Sequence, residues 1–129
     1  MTDHIIINGT VIETQVSITR EEQEKGLMFQ KDPKPMVFLY AAPAMNTFWM
    51  SNTPAPLDIV FALRNTVVGI RSGLPNSTAL IGVESASDLI LELPAGQAKQ
   101  LDLKPGDVVT PKLSDSTLKK LILQSCNSY

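Results

Sequence analysis

The sequence predicts a mainly β protein: a compact antiparallel sandwich or barrel-like domain with one or two short helices. Short apolar runs bounded by turn residues recur along the chain, as they do in sandwiches and barrels. Several runs, such as Ile5–Ile7, are rich in the β-branched residues that favour strands. Helix signals are confined to a few short segments. The 129 residues suit a single domain, residues 1–129.

The N-terminal part of the chain predicts a hairpin followed by a short helix. The segment His4–Ile18 has strand composition around Asn8-Gly9, a pair that accepts the positive φ angles of a tight turn. Thr19 and Glu22 form a capping-box pattern, in which each side chain accepts a hydrogen bond from the other residue's backbone amide. The helix is short because Gly26 follows as a typical C-terminal cap.

The middle of the chain predicts further short strands. Met36–Tyr40 and Thr47–Met50 are apolar segments of strand length. Leu57–Arg64 and Val67–Gly73 predict a second hairpin, which turns at Asn65-Thr66. Each of these segments contributes to the expected antiparallel sheet.

The C-terminal third combines strands, turns and short helices. Leu89–Leu93 predicts a buried strand, and Pro94–Leu101 predicts a helix with proline at its first position. Lys104–Asp107 has proline and glycine where a type II turn requires them, and Val108–Lys112 continues as a strand. The composition of Thr117–Gln124 is compatible with either a helix or a strand.

Composition and charge argue against several functional classes. The net charge is −2 and the basic residues are scattered, which disfavours nucleic acid and anionic membranes as partners. His4 is the only histidine and Cys126 the only cysteine, so the usual zinc ligand sets cannot be assembled. The sequence has no glycine-rich phosphate loop and no acidic cluster with loop-like ligand spacing. We therefore expect no cofactor and no metal, and we interpret Cys126 as an unreactive thiol.

The sequence also predicts a cytoplasmic, soluble protein. One cysteine cannot form an intrachain disulfide, which is typical of a reducing compartment. The segment Met1–Ile7 lacks a basic region, and its apolar run is too short for a signal peptide. No stretch approaches the roughly 20 apolar residues of a membrane-spanning helix.

The stretch Phe48–Asp58 is the candidate functional region. It contains the only tryptophan, Trp49, before a polar loop with two prolines. Asp58 opens an apolar strand, where a carboxylate is unfavourable unless hydrogen-bond donors surround it. In one interpretation, backbone amides near Asn52 and Thr53 donate to Asp58. In the other, Asp58 and Asn52 face a cleft in which Trp49 provides a stacking wall.

These residues resemble a known family of uncharacterised proteins, the domain of unknown function 192. The resemblance covers most of the chain, from about Val11 to Val109. It implies a compact, mostly antiparallel β fold and supplies no established activity. The chain differs from the family pattern at Gln30, Pro35 and Ser51. The matching segments are Gly26–Phe29, Phe48–Met50, Asn52-Thr53, Pro56–Asp58, Leu91–Leu93, Ala95-Gly96 and Pro105–Asp107.

A non-enzymatic small-ligand-binding or accessory module is the first functional prediction. Its ligand would be a small polar molecule such as a sugar, held by aromatic stacking and a few aimed polar groups. One alternative is an enzyme that uses Asp58 as a general acid or base, and another is a protein-interaction domain with an apolar docking face. No catalytic residue is assigned. The predicted ligand-binding residues are Met28, Trp49, Met50, Asn52, Thr53 and Asp58.

Overall fold

The computed structural model describes residues 2–126, with side chains described as far as Gln124. The interpretation of the Cys126 thiol therefore lies outside the described side chains. Eight strands and three helices make up the described part of the chain. They are β1 (His4–Ile7), β2 (Thr10–Glu13), β3 (Gln15–Ser17), α1 (Arg20–Lys25), β4 (Met36–Ala44), β5 (Leu57–Leu63), β6 (Thr66–Gly73), β7 (Ser87–Pro94), α2 (Gln97–Gln100), β8 (Val109–Lys112) and α3 (Asp115–Cys126).

Two sheets pack face to face, which confirms the predicted mainly β sandwich. The three-stranded sheet has the order β2-β1-β8 and the five-stranded sheet the order β3-β4-β7-β5-β6. Ile5 and Ile7 of the small sheet pack against Leu91 and Leu93 of the large one, and all four are buried. One pair of strands, β3 and β4, is parallel; the other pairs are antiparallel.

The opposite face of the five-stranded sheet is covered by the turn that follows α1, residues 26–29, and by two loop segments, residues 45–56 and 74–86. Leu27 and Met50 from these covering segments are buried against Phe38 and other apolar side chains of the sheet. The strand predicted at Thr47–Met50 is absent apart from one β-bridge between Phe48 and Ile81. The sheet face at this point is covered by loops instead of by a second sheet, so its covering is less continuous.

Three features predicted from local sequence, two turns and one helix cap, are confirmed. Asn8 and Gly9 have φ angles of 47° and 81° in the β1–β2 turn, as expected for a tight hairpin. Thr19 caps α1 with a complete capping box. Gly106 has a φ of 96°, and the Asp107 amide donates to the Lys104 carbonyl at 3.1 Å, as in a type II turn.

The predicted position of one turn is wrong by one residue, and the predicted start of one helix is wrong by three. The β5–β6 hairpin turns at Arg64-Asn65, with φ angles of 49° and 66°, and not at Asn65-Thr66. Thr66 is instead paired with Leu63 in the ladder. Pro94 does not open a helix, because it ends β7 and lies opposite Leu57; α2 begins three residues later.

The C-terminal segment is a helix, which settles the choice left open at Thr117–Gln124. The side chains of Ser114 and Asp3 organise its first turn: the Thr117 hydroxyl donates to Asp3 at 2.8 Å, and the Thr117 amide donates to the Ser114 hydroxyl. Lys120 forms an ion pair with Glu22 of α1. Among residues 2–126, no helix combines the length and apolarity needed to cross a bilayer.

The contact between β6 and the 74–86 segment yields a first prediction. A Cβ added at Gly69 would lie 2.5 Å from Cγ1 of Val83, and the β-branched valine has little freedom to move away. Gly69→Ala is therefore expected to lower the free energy of unfolding by about 1–3 kcal/mol, measured by urea denaturation. In a Val83→Ala background the penalty should largely disappear, while the exposed control Ser72→Ala should change little. An equal penalty in both backgrounds would contradict this packing.

Candidate functional site

A cavity of about 900 Å³ opens on the loop-covered face of the five-stranded sheet. Helix α1 and Gly26–Met28 form one side, and Thr47–Met50 with Thr53 form the other. The floor is made by side chains of β4 and β7. This volume lies within the range of small-molecule sites, roughly 300–1,000 Å³. The cavity is thus large enough for a ligand of sugar or amino-acid size.

Aromatic side chains provide much of the wall. Phe48 makes edge-to-face contacts with Phe38 and Phe61, with ring centroids 5.3 Å and 5.9 Å apart, a favourable arrangement for aromatic pairs. These contacts fix the position of the loop that carries Trp49. Trp49 and Leu80 also line the cavity, and their exposed fractions are 50% and 75%. Both therefore lie at the mouth, where they remain accessible to a ligand.

Glu92 is the charged side chain on the floor of the cavity. It lies in β7, the central strand of the five-stranded sheet, on the same face as Ile90. Its neighbours in the ladders are Met36 of β4 and Ile59 of β5, both buried. Only 4% of the Glu92 surface is exposed, and that side chain contributes to the cavity lining.

The environment of Glu92 favours its neutral form. Burial raises the pKa of the Glu92 carboxyl from its ordinary value of 4.5 to about 7. Within the described part of the chain, no hydrogen bond or ion pair to this carboxyl offsets the effect. A buried carboxyl without a partner is rare in folded proteins. The Glu92 oxygens are not fully enclosed, because the side chain lines the cavity, where solvent or a ligand can reach them.

Two further residues lie close to the Glu92 carboxyl. A Cβ added at Gly26 would lie 3.6 Å from Oε1 of Glu92 and 3.3 Å from Cζ of Phe38, so the glycine lets the backbone approach this corner closely. Tyr40 of β4 lines the same cavity. Burial, followed by the negative charge of Glu92, raises the pKa of the Tyr40 hydroxyl well above its usual range. The phenol stays protonated and remains a hydrogen-bond donor.

The rim formed by α1 carries charges of both signs. Arg20 and Glu24 form an exposed ion pair at 3.1 Å, and Glu21 and Lys25 also line the opening. Behind the rim, burial raises the pKa of Glu22, but hydrogen bonds from Lys120 and from the Thr19 and Ile18 amides lower it to about 2. The helix that bounds the cavity is thereby attached to α3.

Four of the six predicted site residues lie together at this cavity: Met28, Trp49, Met50 and Thr53. Met50 and Thr53 are buried, at 1% and 5% exposure. Asn52 is not part of the lining. It is exposed in a left-handed turn with φ of 54°, and its carbonyl accepts the Phe29 amide at 2.8 Å. Its role in the structure is to connect the 45–56 segment to the turn that follows α1.

Asp58 lies away from the cavity, because alternate residues of a strand face opposite sides of the sheet. Its Oδ2 atom accepts hydrogen bonds from the Gly96 amide at 2.9 Å and the Ala98 amide at 3.0 Å. The interpretation that amides near Asn52 and Thr53 satisfy this carboxylate is wrong. The interpretation that Asp58, Asn52 and Trp49 share one cleft is also wrong. Asp58 instead caps the start of α2 from a neighbouring strand.

Sequence reasoning did not identify Glu92 or Tyr40 as site residues. A signal for Glu92 was present: it is the one charged residue in the apolar run Leu89–Leu93. Strand alternation also predicts that Glu92 and Ile90 share a face. No local pattern marked Tyr40, because its position depends on which loops cover β4.

Comparisons with known proteins agree with this fold. Residues 4–111 match the family model of the domain of unknown function 192 (DUF192), described as an uncharacterised ACR. The chain is similar to the crystal structure of a protein of unknown function from Novosphingobium aromaticivorans, with 36% identity, a TM-score of 0.75, and 82% of each chain covered.

A second crystal structure, from Sinorhizobium meliloti, is described as a "putative transcription regulator". It shares 26% identity and a TM-score of 0.76, over 84% of this chain and 91% of that chain. No match was found among curated proteins.

The hydrogen bonds of Asp58 give a second prediction. Asp58→Ala removes the acceptor of two backbone amides and should lower the free energy of unfolding by about 1–2 kcal/mol. The emission spectrum of Trp49 should not change, because Asp58 is not at the cavity. Urea denaturation and fluorescence measure the two effects, with the exposed Asp32→Ala variant as control. A shift in Trp49 emission would contradict this separation.

The buried carboxyl gives a third prediction, on pH dependence. Because the folded pKa of Glu92 is about 7 and its ordinary value is 4.5, the folded state binds the proton more tightly than the unfolded state. Stability therefore falls as pH rises through this window, by about 3 kcal/mol in total.

Glu92→Gln abolishes this titration, so the variant should gain stability over the wild type mainly at pH 8. Urea denaturation at pH 5 and pH 8 measures the gap. The exposed variant Glu13→Gln controls for the change in charge. An equal gap between Glu92→Gln and the wild type at both pH values would contradict the raised pKa.

Proposed function

Because the chain belongs to the DUF192 family, whose description gives no activity, we propose its function from the cavity: it is a small-ligand-binding module. The observation that carries this proposal is the buried, unpartnered carboxyl of Glu92 on the cavity floor. Such a group is unfavourable for folding unless it acquires a partner. A ligand that donates a hydrogen bond to Glu92 supplies that partner.

The rest of the lining supports a small organic ligand. Apolar and aromatic side chains cover most of the cavity, and a few polar groups are placed among them. This combination is characteristic of small-molecule sites, where apolar walls supply affinity and isolated polar groups fix orientation. Phe48 and Trp49 contribute aromatic rings to the lining, and Tyr40 contributes a phenol hydroxyl. A sugar with one apolar face is compatible with such walls.

General acid–base catalysis is a second candidate, and one observation favours it. A carboxyl with a pKa of about 7 can both donate and accept a proton near neutral pH, as efficient catalysis requires. In this proposal the catalytic group is Glu92, because Asp58 is occupied by two amides outside the cavity. The binding function is preferred because, among the described residues, no hydrogen bond joins Glu92 to a nucleophile or to a second acid.

The proposed location is the cytoplasm. The supporting argument is composition: the chain has one cysteine, and so contains no intrachain disulfide of the kind that stabilises many secreted domains.

A fluorescence titration tests the binding proposal. Trp49 is the only tryptophan and lies half exposed at the mouth, so its emission reports on occupancy of the cavity. The wild type is titrated with sugars, nucleosides, carboxylic acids, amines and aromatic alcohols, and acrylamide quenching is recorded in parallel. At least one class is expected to shift the emission and to protect Trp49 from acrylamide.

Two variants assign any response to the cavity. Glu92→Gln should change the affinity of the responding class at least tenfold, since it exchanges the acceptor on the floor for an amide. Glu13→Gln, an equal charge change on exposed β2, should not alter binding. If no class protects Trp49, or if both variants behave alike, the binding proposal is wrong. Turnover of a bound compound that Glu92→Gln abolishes would instead favour the catalytic candidate.

A further inference from the structure

Resting on the proposed binding function, we propose a narrower ligand class: a small primary ammonium ion on an apolar or aromatic body, with its ammonium group at Glu92. The inference concerns the chemistry of the ligand, which the proposed function leaves open. It depends on three features of the cavity: the few polar groups on its floor, the charged side chains around its opening, and the aromatic rings of its walls.

The floor of the cavity offers a single ionisable acceptor. Glu92 is almost fully buried, and its ladder neighbours Met36 and Ile59 are apolar. A sugar brings several hydroxyl groups, each of which needs a partner when water is removed. Besides Glu92 and Tyr40, the uncharged polar side chains of the lining are Gln23, Thr47 and Thr53, and two of these, Gln23 and Thr53, already donate to backbone carbonyls. Few groups are therefore left to pair with the hydroxyls of a sugar. A ligand with one strong donor group and an apolar remainder fits this floor better.

The charges around the cavity also favour a cation. The charged side chains that line it are two basic residues, Arg20 and Lys25, and three acidic ones, Glu21, Glu24 and Glu92. Arg20 is already paired with Glu24 at 3.1 Å. An anionic ligand would be repelled whenever the Glu92 carboxyl is ionised. An ammonium ion instead forms a charge-assisted hydrogen bond with it.

The aromatic walls are compatible with the same ligand. Ring faces attract cations, with energies of about 0.5–2 kcal/mol depending on desolvation. Phe38, Tyr40, Phe48 and Trp49 all line the cavity. An ammonium ion that enters past Trp49 therefore meets favourable surfaces on its path to Glu92, and its apolar body can remain in contact with Phe48 and Leu80.

The pH dependence follows from the groups that face Glu92. In the ladders, Met36 of β4 and Ile59 of β5 lie opposite Glu92, and both are apolar. The other titratable side chains of the lining are Tyr40, whose pKa is raised by burial and by the charge of Glu92, and Arg20, Glu21, Glu24 and Lys25 of α1. Burial raises the pKa of the Glu92 carboxyl to about 7. An ammonium ion binds the ionised carboxylate, so its affinity should rise between pH 6 and pH 8 as protein protons are released. A neutral ligand should lack this dependence.

The experiment compares three probes of matched size by isothermal titration calorimetry and Trp49 fluorescence: 2-phenylethylamine, 2-phenylethanol and 3-phenylpropanoate. A phenyl glucoside is the fourth probe. At pH 8 the amine is expected to bind at least tenfold more tightly than the others. Its affinity should fall at least threefold at pH 6, and titration in two buffers of different ionisation enthalpy should reveal proton release.

Two variants complete the design. Glu92→Gln should weaken amine binding at least tenfold and remove its pH dependence, while alcohol binding is unchanged. Glu13→Gln should bind all probes as the wild type does. Preference for the alcohol or the glucoside, with protection of Trp49, would overturn the ammonium inference and leave the binding function standing. Failure of every probe, together with failure of the wider panel, would overturn both.

Discussion

The organisation of this protein depends on one constraint: β7 is the central strand of a sheet that is covered on both faces. Any charged residue on such a strand must find a partner, a neutral form or an opening. Glu92 is placed on the less continuously covered face, where burial raises the pKa of its carboxyl to about 7 and the side chain lines the cavity. If β7 were an edge strand, the same glutamate would be exposed to water, and its charge would not be unfavourable.

The two faces of the five-stranded sheet are covered by different means. The small sheet packs Ile5 and Ile7 onto one face as a regular layer, since strands present side chains at a fixed spacing. Loops cover the other face, and they are held in place by particular contacts, such as the Phe48–Ile81 bridge and the Asn76 amide on the Thr53 carbonyl. Loops cannot fill a sheet face as evenly as strands do, which leaves room for a cavity.

The features predicted correctly from the sequence are those determined by neighbouring residues. The Asn8-Gly9 turn and the Thr19 capping box depend on a few consecutive side chains and their own backbone. The predicted grouping of Asp58 with Asn52 failed for a different reason. Which face of β5 each residue occupies, and which loop lies above it, are set by contacts distant in sequence, such as the amides of Gly96 and Ala98. These partners cannot be predicted from the residues next to Asp58 in the sequence.

Asp58 and Glu92 show why a buried carboxylate is informative only once its partners are known. Both are single charges in apolar strands, so the same desolvation argument applies to each. Asp58 receives two amides from the turn before α2 and becomes part of the scaffold. Glu92 receives no such donors within the described residues. Its neighbours in the ladders, Met36 and Ile59, are also more apolar than those of Asp58, which are Ser72 and Leu93. Since the unfavourable burial of Glu92 is not compensated inside the fold, its compensation must come from its neutral form or from a molecule in the cavity. This difference is the reason that our proposed function rests on Glu92 and not on Asp58.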